Sequence, residues 1–249
     1  MTPTLDEYLA SYERDSASMV EAARGNLGSR VPGCPDWDVR ALIQHAGDVL
    51  YVWGTIAEEQ RRERGPIDIP DAPDDEEGLL TWFESSARRT HDILRAADPA
   101  TPVWTWAPRK EIGFIQRRMP HELSIHGWDA RSAVSDRPDP IDPVIAADGI
   151  DEYFDTFCAA YLEEGAKGPD TAGTLHLHQT DGDGEWFVTY GPQGVEFNHE
   201  HAKGDAAVRG TASDLLLMLW RRIPTDSGGL QVHGDKQMLD DFVGWLDLT

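Results

Sequence analysis

RRMPHELSIHGWDA, residues 117–130, carries a candidate metal-binding pair on one predicted helix. The segment differs from the HExxH motif of zinc proteases by one extra residue between its histidines. At about 100° per residue, His121 and His126 lie about 140° apart around a helix and cannot easily share a metal. Glu122 and His126 are four residues apart and project to the same face. The spacing therefore predicts a Glu122–His126 ligand pair and argues against a metalloprotease.

A further candidate ligand, His45, lies in PGCPDWDVRALIQHAGDV, residues 32–49. It falls on a helical apolar stripe that begins at Leu42, where a polar group needs a partner. Helix bundles build metal sites from facing helices. Two imidazoles and one carboxylate suit Zn²⁺ with an open position, and also Fe²⁺ or Ni²⁺. The alternative interpretation is a hydrogen-bonded core histidine beside an ordinary Glu122–His126 helix pair.

Helical periodicity extends over the first half of the chain. The longer connections between its helices are rich in proline or acidic residues. Pro120 predicts a break near residues 118–120, because proline is tolerated only in a first turn or at a kink. We predict a four-helix bundle over residues 1–140. Its helices are expected at about 4–28, 36–62, 75–97 and 112–134.

The second half has a different pattern. RPDPIDP, residues 137–143, is typical of a linker. After a predicted helix at 144–164, the hydrophobic period changes to two, and DGDG joins two short strands as a hairpin. The helix SDLLLMLWRRI is predicted to start at Ser213 as its N-cap. Residues 141–249 are therefore expected to form an α+β domain with a mainly antiparallel sheet.

The charge balance excludes several classes of partner. Among 249 residues, 22 are basic and 45 acidic, giving a formal charge of −23. This disfavours nucleic acids and anionic membranes. The N-terminus has no signal-peptide pattern, and no stretch approaches the roughly 18 apolar residues of a membrane span. With Cys34 and Cys158 far apart, we expect a cytoplasmic protein without disulfides. Each half can bury its own core, so a monomer is expected.

Two H-x-H pairs occur on predicted strands of the second half. They comprise His176 with His178 and His199 with His201. Alternate strand residues share a face, so a metal site is conceivable there. The alternative is that these histidines are polar, solvent-facing positions of half-buried strands.

The two N-terminal motifs together resemble the mycothiol-dependent maleylpyruvate isomerase family, which belongs to the wider DinB-like metal-binding four-helix proteins. That family also has a sterol-carrier-like α+β second domain. The resemblance implies that His45, Glu122 and His126 are the metal ligands, the same trio that the spacing selects. The matching positions are Pro35, Trp37, Leu42, His45, His121, Glu122, His126, Trp128 and Asp129.

Asp129 lies one turn beyond His126. It is predicted either to orient a ligand from behind or to form a salt bridge with Arg117, Arg118 or Arg131. His121 points elsewhere on the helix and is expected to be a packing or capping residue.

In the resembled family the reactive sulfur belongs to mycothiol, a small-molecule thiol of actinobacteria. The resemblance implies a divalent metal, Zn²⁺ foremost, with mycothiol as cosubstrate. A thiol is a poor nucleophile until it is deprotonated, and metal coordination removes its proton. Addition to a double bond conjugated with a carbonyl, rotation and loss of the thiol would give cis–trans isomerisation of an acid such as maleylpyruvate. Retention of the adduct would give a thiol transferase.

A dianionic substrate requires local positive charge in so acidic a chain. In the resembled family the arginine of an L-W-x-R segment lies at the active site, and Arg222 occupies that position here. Arg222 is therefore the candidate catalytic residue. The alternative is a basic residue that favours a helix C-terminus.

Resemblance does not fix a reaction. A hydrolase that uses metal-bound water and a non-catalytic metal-binding or ligand-binding protein are the competing hypotheses. Under the leading hypothesis, the partners are a small-molecule substrate and a thiol.

Overall fold

The chain folds into two compact units. A computed structural model describes residues 2–163 and 165–246. One unit comprises Pro3–Asp139, and the other begins at Pro140. The first is a four-helix bundle, and the second combines helices with a five-stranded sheet. This arrangement confirms the predicted fold class.

Side-chain caps determine where the first three bundle helices begin. Thr4 and Glu7 form a reciprocal capping box, and Asp38 and Asp75 each accept a hydrogen bond from a backbone N–H of the following first turn. The four helices are α1 (Leu5–Ala23), α2 (Val39–Glu58), α3 (Glu76–Ala96) and α4 (Ile112–Ser132).

The bundle core forms where the apolar stripes of the four helices meet. Helix α1 packs mainly against α4, and α2 packs mainly against α3. Burial of these aliphatic and aromatic side chains is the main stabilising term for the unit. Fully buried members of the core include Leu9, Met19, Leu42, Ile43, Leu50, Leu79, Phe83, Ile115 and Leu123.

The predicted break at residues 118–120 is wrong, because α4 continues through Pro120 without interruption. Proline removes the hydrogen bond that its own N–H would have made to the Gln116 carbonyl, and its ring crowds that carbonyl. The helix is buried on most sides in this region, so packing against its neighbours holds the turn in place. This continuity matters because it keeps the residues on either side of Pro120 on a single helical face.

The second unit contains a mixed sheet and several helices. A π-helical segment, Tyr153–Cys158, interrupts the predicted helix over 144–164. The wider turn accompanies burial of the adjacent Tyr153 and Phe154. The remaining elements are α5 (Pro143–Glu152), α6 (Ala159–Glu163), β1 (Gly173–Gln179), β2 (Glu185–Gly191), β3 (Gly194–Asn198), β4 (Ala206–Gly210), α7 (Ala212–Leu219), β5 (Gln231–Gly234) and α8 (Lys236–Trp245).

The sheet has the strand order β3-β2-β1-β4-β5, and every neighbouring pair is antiparallel except β1 with β4. One face is apolar and carries buried Leu175, Leu177, Val188 and Val208. The alternate residues form a polar face, as expected for a sheet that packs on one side only.

The cap of α7 differs from the sequence-based prediction. Thr211, not Ser213, caps α7 by accepting a hydrogen bond from the Asp214 N–H. The Ser213 hydroxyl instead accepts a hydrogen bond from the backbone N–H of Ile141.

Across residues 2–163 and 165–246, no helix has both the length and the apolar character needed to cross a bilayer.

The contact between α2 and α3 yields a stability prediction at Gly54. A Cβ there would lie 2.3 Å from Thr90 Oγ1, which donates a buried hydrogen bond to the Leu50 carbonyl. The β-branched Thr90 has little rotamer freedom with which to move away. We expect Gly54→Ala to lower the free energy of unfolding in urea by about 1–3 kcal/mol.

The matched control is Ser85→Ala on the exposed side of α3. It should change the free energy of unfolding by no more than about 0.5 kcal/mol. A Gly54→Ala protein as stable as the wild type would contradict the close packing of α2 on α3.

Candidate metal centre

One face of α4 carries a line of four charged or titratable side chains. Arg118, Glu122, His126 and Asp129 follow one another at spacings of four, four and three residues, which places them on adjacent turns. The Arg118 guanidinium lies 2.5 Å from Glu122 Oε2, and His126 Nδ1 lies 3.0 Å from Asp129 Oδ2. The two central residues are thus each held from behind by a neighbour on their own helix.

His45 reaches this line from α2. A tight turn precedes that helix, in which the Trp37 N–H donates to the Cys34 carbonyl and the Val31 N–H donates to the Trp37 carbonyl. The turn places the Trp37 ring 4.7 Å from the His45 ring and 6.0 Å from the His126 ring. The proline/tryptophan turn of the sequence motif therefore packs directly against both imidazoles.

The three predicted ligands converge on one carboxylate oxygen. Glu122 Oε1 lies 3.4 Å from His45 Nε2 and also 3.4 Å from His126 Nε2. Two donors bound about 2.0–2.1 Å from a tetrahedral zinc ion lie about 3.3 Å apart. The two imidazole rings are 5.2 Å apart and nearly perpendicular. The geometry of His45, Glu122 and His126 therefore fits a divalent metal ion.

The trio is buried on one side and open on the other. The side chains of Glu122 and His126 are almost covered, whereas that of His45 is 37% exposed. His45 thus lies at the edge of the buried stripe of α2 and not inside the core. Three protein ligands with access from solvent are typical of a catalytic rather than a structural zinc site.

The electrostatics of the trio favour an ionised carboxylate. Burial by itself raises the pKa of Glu122. Attraction to His126 and Arg118, with hydrogen bonds from His126 and His45, outweighs burial and holds that pKa well below its usual range. Burial lowers the pKa of His126, but Glu122 and Asp129 together raise it to about 9. An ionised Glu122 is the form that a metal ligand requires.

Asp129 makes the contact that the first of its two predicted roles requires, with its Oδ2 3.0 Å from His126 Nδ1. Asp129 is fully buried, and its contact with His126 Nδ1 leaves the other ring nitrogen, Nε2, facing Glu122. Among the arginines considered for Asp129, Arg118 lies beside Glu122 and Arg131 lies 3.6 Å from Asp15. The contact of Arg118 with Glu122 was not predicted from the sequence, although their spacing of four residues was the available signal.

The other sequence candidates lie outside the trio. His121 is buried against the Tyr8 ring of α1, a packing position. Cys34 Sγ lies 3.7 Å from Asp129 Oδ2, the same oxygen that contacts His126. Cys158 is buried in the second unit, where burial raises its thiol pKa far above the normal value.

Arg222 also belongs to the second unit. It follows α7, where Arg221 adopts a left-handed backbone conformation with φ of 56°. One guanidinium nitrogen of Arg222 donates to the Trp220 carbonyl at 3.0 Å. Its catalytic role stays a prediction.

Two groups of known proteins resemble this chain, one in structure and one in sequence. Two solved structures cover 93% of this chain and are themselves covered to 95%. They are the mycothiol-dependent maleylpyruvate isomerase, at 16% identity and a TM-score of 0.61, and a histidine-to-alanine mutant of that enzyme, at 14% identity and 0.63. The shared fold is a helical bundle followed by an α+β domain. No curated protein matches the chain in sequence.

Two domain families match the sequence itself. The mycothiol maleylpyruvate isomerase N-terminal domain matches residues 9–131, and the C-terminal domain of the same family matches residues 144–241. The chain belongs to the mycothiol maleylpyruvate isomerase family.

The contact between His126 and Asp129 yields a prediction for metal affinity. Asp129→Asn keeps the shape of the side chain but removes the charge that orients the imidazole. We expect the Zn²⁺ affinity of this site to fall by about 10- to 100-fold. NMR resonances of the His45 and His126 imidazoles, followed during a Zn²⁺ titration, would measure it.

The matched control is Asp92→Asn, which changes another bundle aspartate, 3.2 Å from the imidazole of His91. The Zn²⁺ affinity of the bundle site in Asp92→Asn should equal that of the wild type. Equal effects of the two substitutions would show that Asp129 does not support a ligand.

Proposed function

We propose that this chain is a divalent-metal-dependent enzyme that uses mycothiol to isomerise an unsaturated acid such as maleylpyruvate, or to transfer the thiol to it. The observation that carries the proposal is the convergence of two imidazole nitrogens on Glu122 Oε1, each at 3.4 Å. Family membership supports mycothiol as the thiol and an isomerase as the type of enzyme.

The proposed metal ligands are His45, Glu122 and His126, with Zn²⁺ as the preferred ion because two imidazoles and a carboxylate suit it. When bound, the ion would lower the pKa of a thiol that coordinates it, so that the nucleophilic thiolate forms near neutral pH. Arg118 holds one carboxylate oxygen of Glu122 and leaves the other toward the imidazoles. Asp129 keeps the His126 nitrogen pointed at the same place.

In the isomerase form of the proposed reaction, the substrate and product have the same atoms and the thiol is regenerated. The thiolate adds to one carbon of the double bond, and the electron pair moves to the conjugated carbonyl. The former double bond is then a single bond and rotates. Expulsion of the thiolate restores the double bond in the trans form, and if the adduct is protonated and released instead, the outcome is thiol transfer.

Positive charge must meet the carboxylates of such a substrate. The chain has a formal charge of −23, and residues 141–249 hold only 6 basic against 20 acidic residues. Arg222 is one of those few cations, and the L-W-x-R pattern makes it the proposed substrate-binding arginine. A guanidinium pairs with a carboxylate through two parallel hydrogen bonds.

Cysteine chemistry supports a reducing compartment. Cys34 and Cys158 are thiols and do not form a disulfide, and the cytoplasm remains the proposed location. A monomer remains the proposed oligomeric state.

Metal loading and turnover together test the function. We expect His45→Ala to lose the bundle metal and to reduce mycothiol-dependent turnover of maleylpyruvate by more than about 100-fold, because the remaining pair cannot hold the ion. His233→Ala, an exposed histidine of β5, should keep both. Turnover would be followed by absorbance and metal by elemental analysis.

Other outcomes would replace the proposal. Turnover that needs metal but no thiol would indicate a hydrolase that uses metal-bound water. Bound metal with no turnover across a panel of unsaturated acids, with and without mycothiol, would indicate a binding protein.

The role of Arg222 is tested separately, by Arg222→Ala with Arg209→Ala as a matched control on the exposed side of β4. Loss of a charge-assisted contact to substrate should lower kcat/KM by roughly 10- to 100-fold while metal content is unchanged. An effect no larger than that of Arg209→Ala would remove Arg222 from the site.

A further inference from the structure

The polar face of the sheet gathers histidines that the proposed function does not use. Five of the nine histidines of the chain lie in its second half. His176 and His178 lie on the same face of β1, and His178 pairs in register with Glu185 of β2. All three side chains therefore point to the polar face.

A fourth side chain reaches this face from the connection between β3 and β4. Because the strand order is β3-β2-β1-β4, residues 199–205 must pass two intervening strands. His201 lies in this crossing segment, and its ring is 4.9 Å from that of His176. The crossing segment has no regular secondary structure.

The four side chains meet around one carboxylate. Glu185 Oε1 lies 2.6 Å from His178 Nδ1 and 2.9 Å from His201 Nδ1. Its other oxygen, Oε2, lies 2.5 Å from His176 Nε2. One donor atom from each of these residues lies within 4.8 Å of all the others.

We propose that His176, His178, Glu185 and His201 bind a second divalent transition-metal ion, preferably Zn²⁺, which ties the crossing segment to the sheet. This inference is independent of the proposed function, because it involves neither the bundle trio nor a thiol.

The donor set is the first argument for this site. Three imidazoles and one carboxylate match the ligands that Zn²⁺ prefers, and four protein ligands are typical of a structural zinc site.

Geometry is the second argument. Imidazoles that share a tetrahedral ion have ring centres about 5 Å apart, and the three ring separations here are 4.9, 6.0 and 6.2 Å. The Glu185 contacts are 2.5–2.9 Å long, whereas donors on a tetrahedral zinc ion lie about 3.3 Å apart, so the carboxylate would move outward on binding. Glu185 has three rotatable bonds with which to make this movement.

Access and charge are the third argument. The His201 side chain is 73% exposed and that of His178 is 29% exposed, so a hydrated ion can reach the cluster. Residues 141–249 hold 20 acidic and 6 basic residues, and this negative field raises the local concentration of cations.

The first measurement is Zn²⁺ stoichiometry of the full chain. The wild type should bind two equivalents, while His45→Ala and His201→Ala should each bind one. The exposed position of His201 makes its loss harmless to folding. His233→Ala, on the edge strand β5 and outside the cluster, should bind two.

The second measurement is tryptic cleavage after Lys203, an exposed residue of the crossing segment. Zn²⁺ at 100 times its dissociation constant should slow cleavage there by about 100-fold in the wild type and in His45→Ala, because cleavage requires local opening. No slowing is expected in His201→Ala.

Two outcomes would overturn the proposal. One is a single bound equivalent that disappears in His45→Ala. The other is equal Zn²⁺ protection of Lys203 in the wild type and in His201→Ala. Loss of both the second equivalent and the protection in His178→Ala as well as in His201→Ala would support it.

Discussion

The Glu122 carboxylate is the group on which the bundle site depends. It lies in the interior of a helical bundle, where an ionised group is tolerated only with partners. One oxygen meets the Arg118 guanidinium, and the other lies 3.4 Å from each of two imidazole nitrogens. Breaking such a buried arrangement by removing one partner costs about 3–5 kcal/mol. The same contacts that stabilise the carboxylate also place three metal-binding atoms together.

The spacing of residues along α4 turns this constraint into a site. The spacing of four residues from Glu122 to His126 brings both side chains to one face, and the same step back reaches Arg118. Helix α4 continues through Pro120, so this face is not disturbed. The third proposed ligand, His45, comes from α2, whose start is fixed by the Asp38 cap and the turn around Trp37. A motif of two short segments, far apart in sequence, thus describes a single site.

Much of this could be predicted from the sequence, since helical spacing is a local property. The bundle, the α+β domain and the convergence of Glu122 with His126 follow from periodicity alone. The pairing of Arg131 with Asp15 of α1 depends on packing between helices, which the spacing along one helix does not encode. The Pro120 break was wrong for the same reason, because tertiary packing held the helix together. Thr211 and Ser213 are both good caps, and only the position of Ile141 separates their roles.

The histidine cluster of the second unit shows the same limit more strongly. His176 and His178 share a face of β1 as predicted, but the predicted strand placement of His199 and His201 is wrong, because β3 ends at Asn198. His201 reaches His176 only because β4 lies beyond β1 and the chain must cross the sheet. No local pattern in residues 199–205 reveals that crossing.

X-ray absorption spectroscopy of the Zn²⁺-loaded His201→Ala protein tests the bundle site directly, because this substitution removes a ligand of the proposed second site. If His45, Glu122 and His126 bind the ion, we expect only nitrogen and oxygen atoms at about 2.0–2.1 Å from it. The more distant scattering should correspond to two imidazole rings. A sulfur atom at about 2.3 Å, which would have to come from a cysteine, or a shell with no imidazole would contradict it.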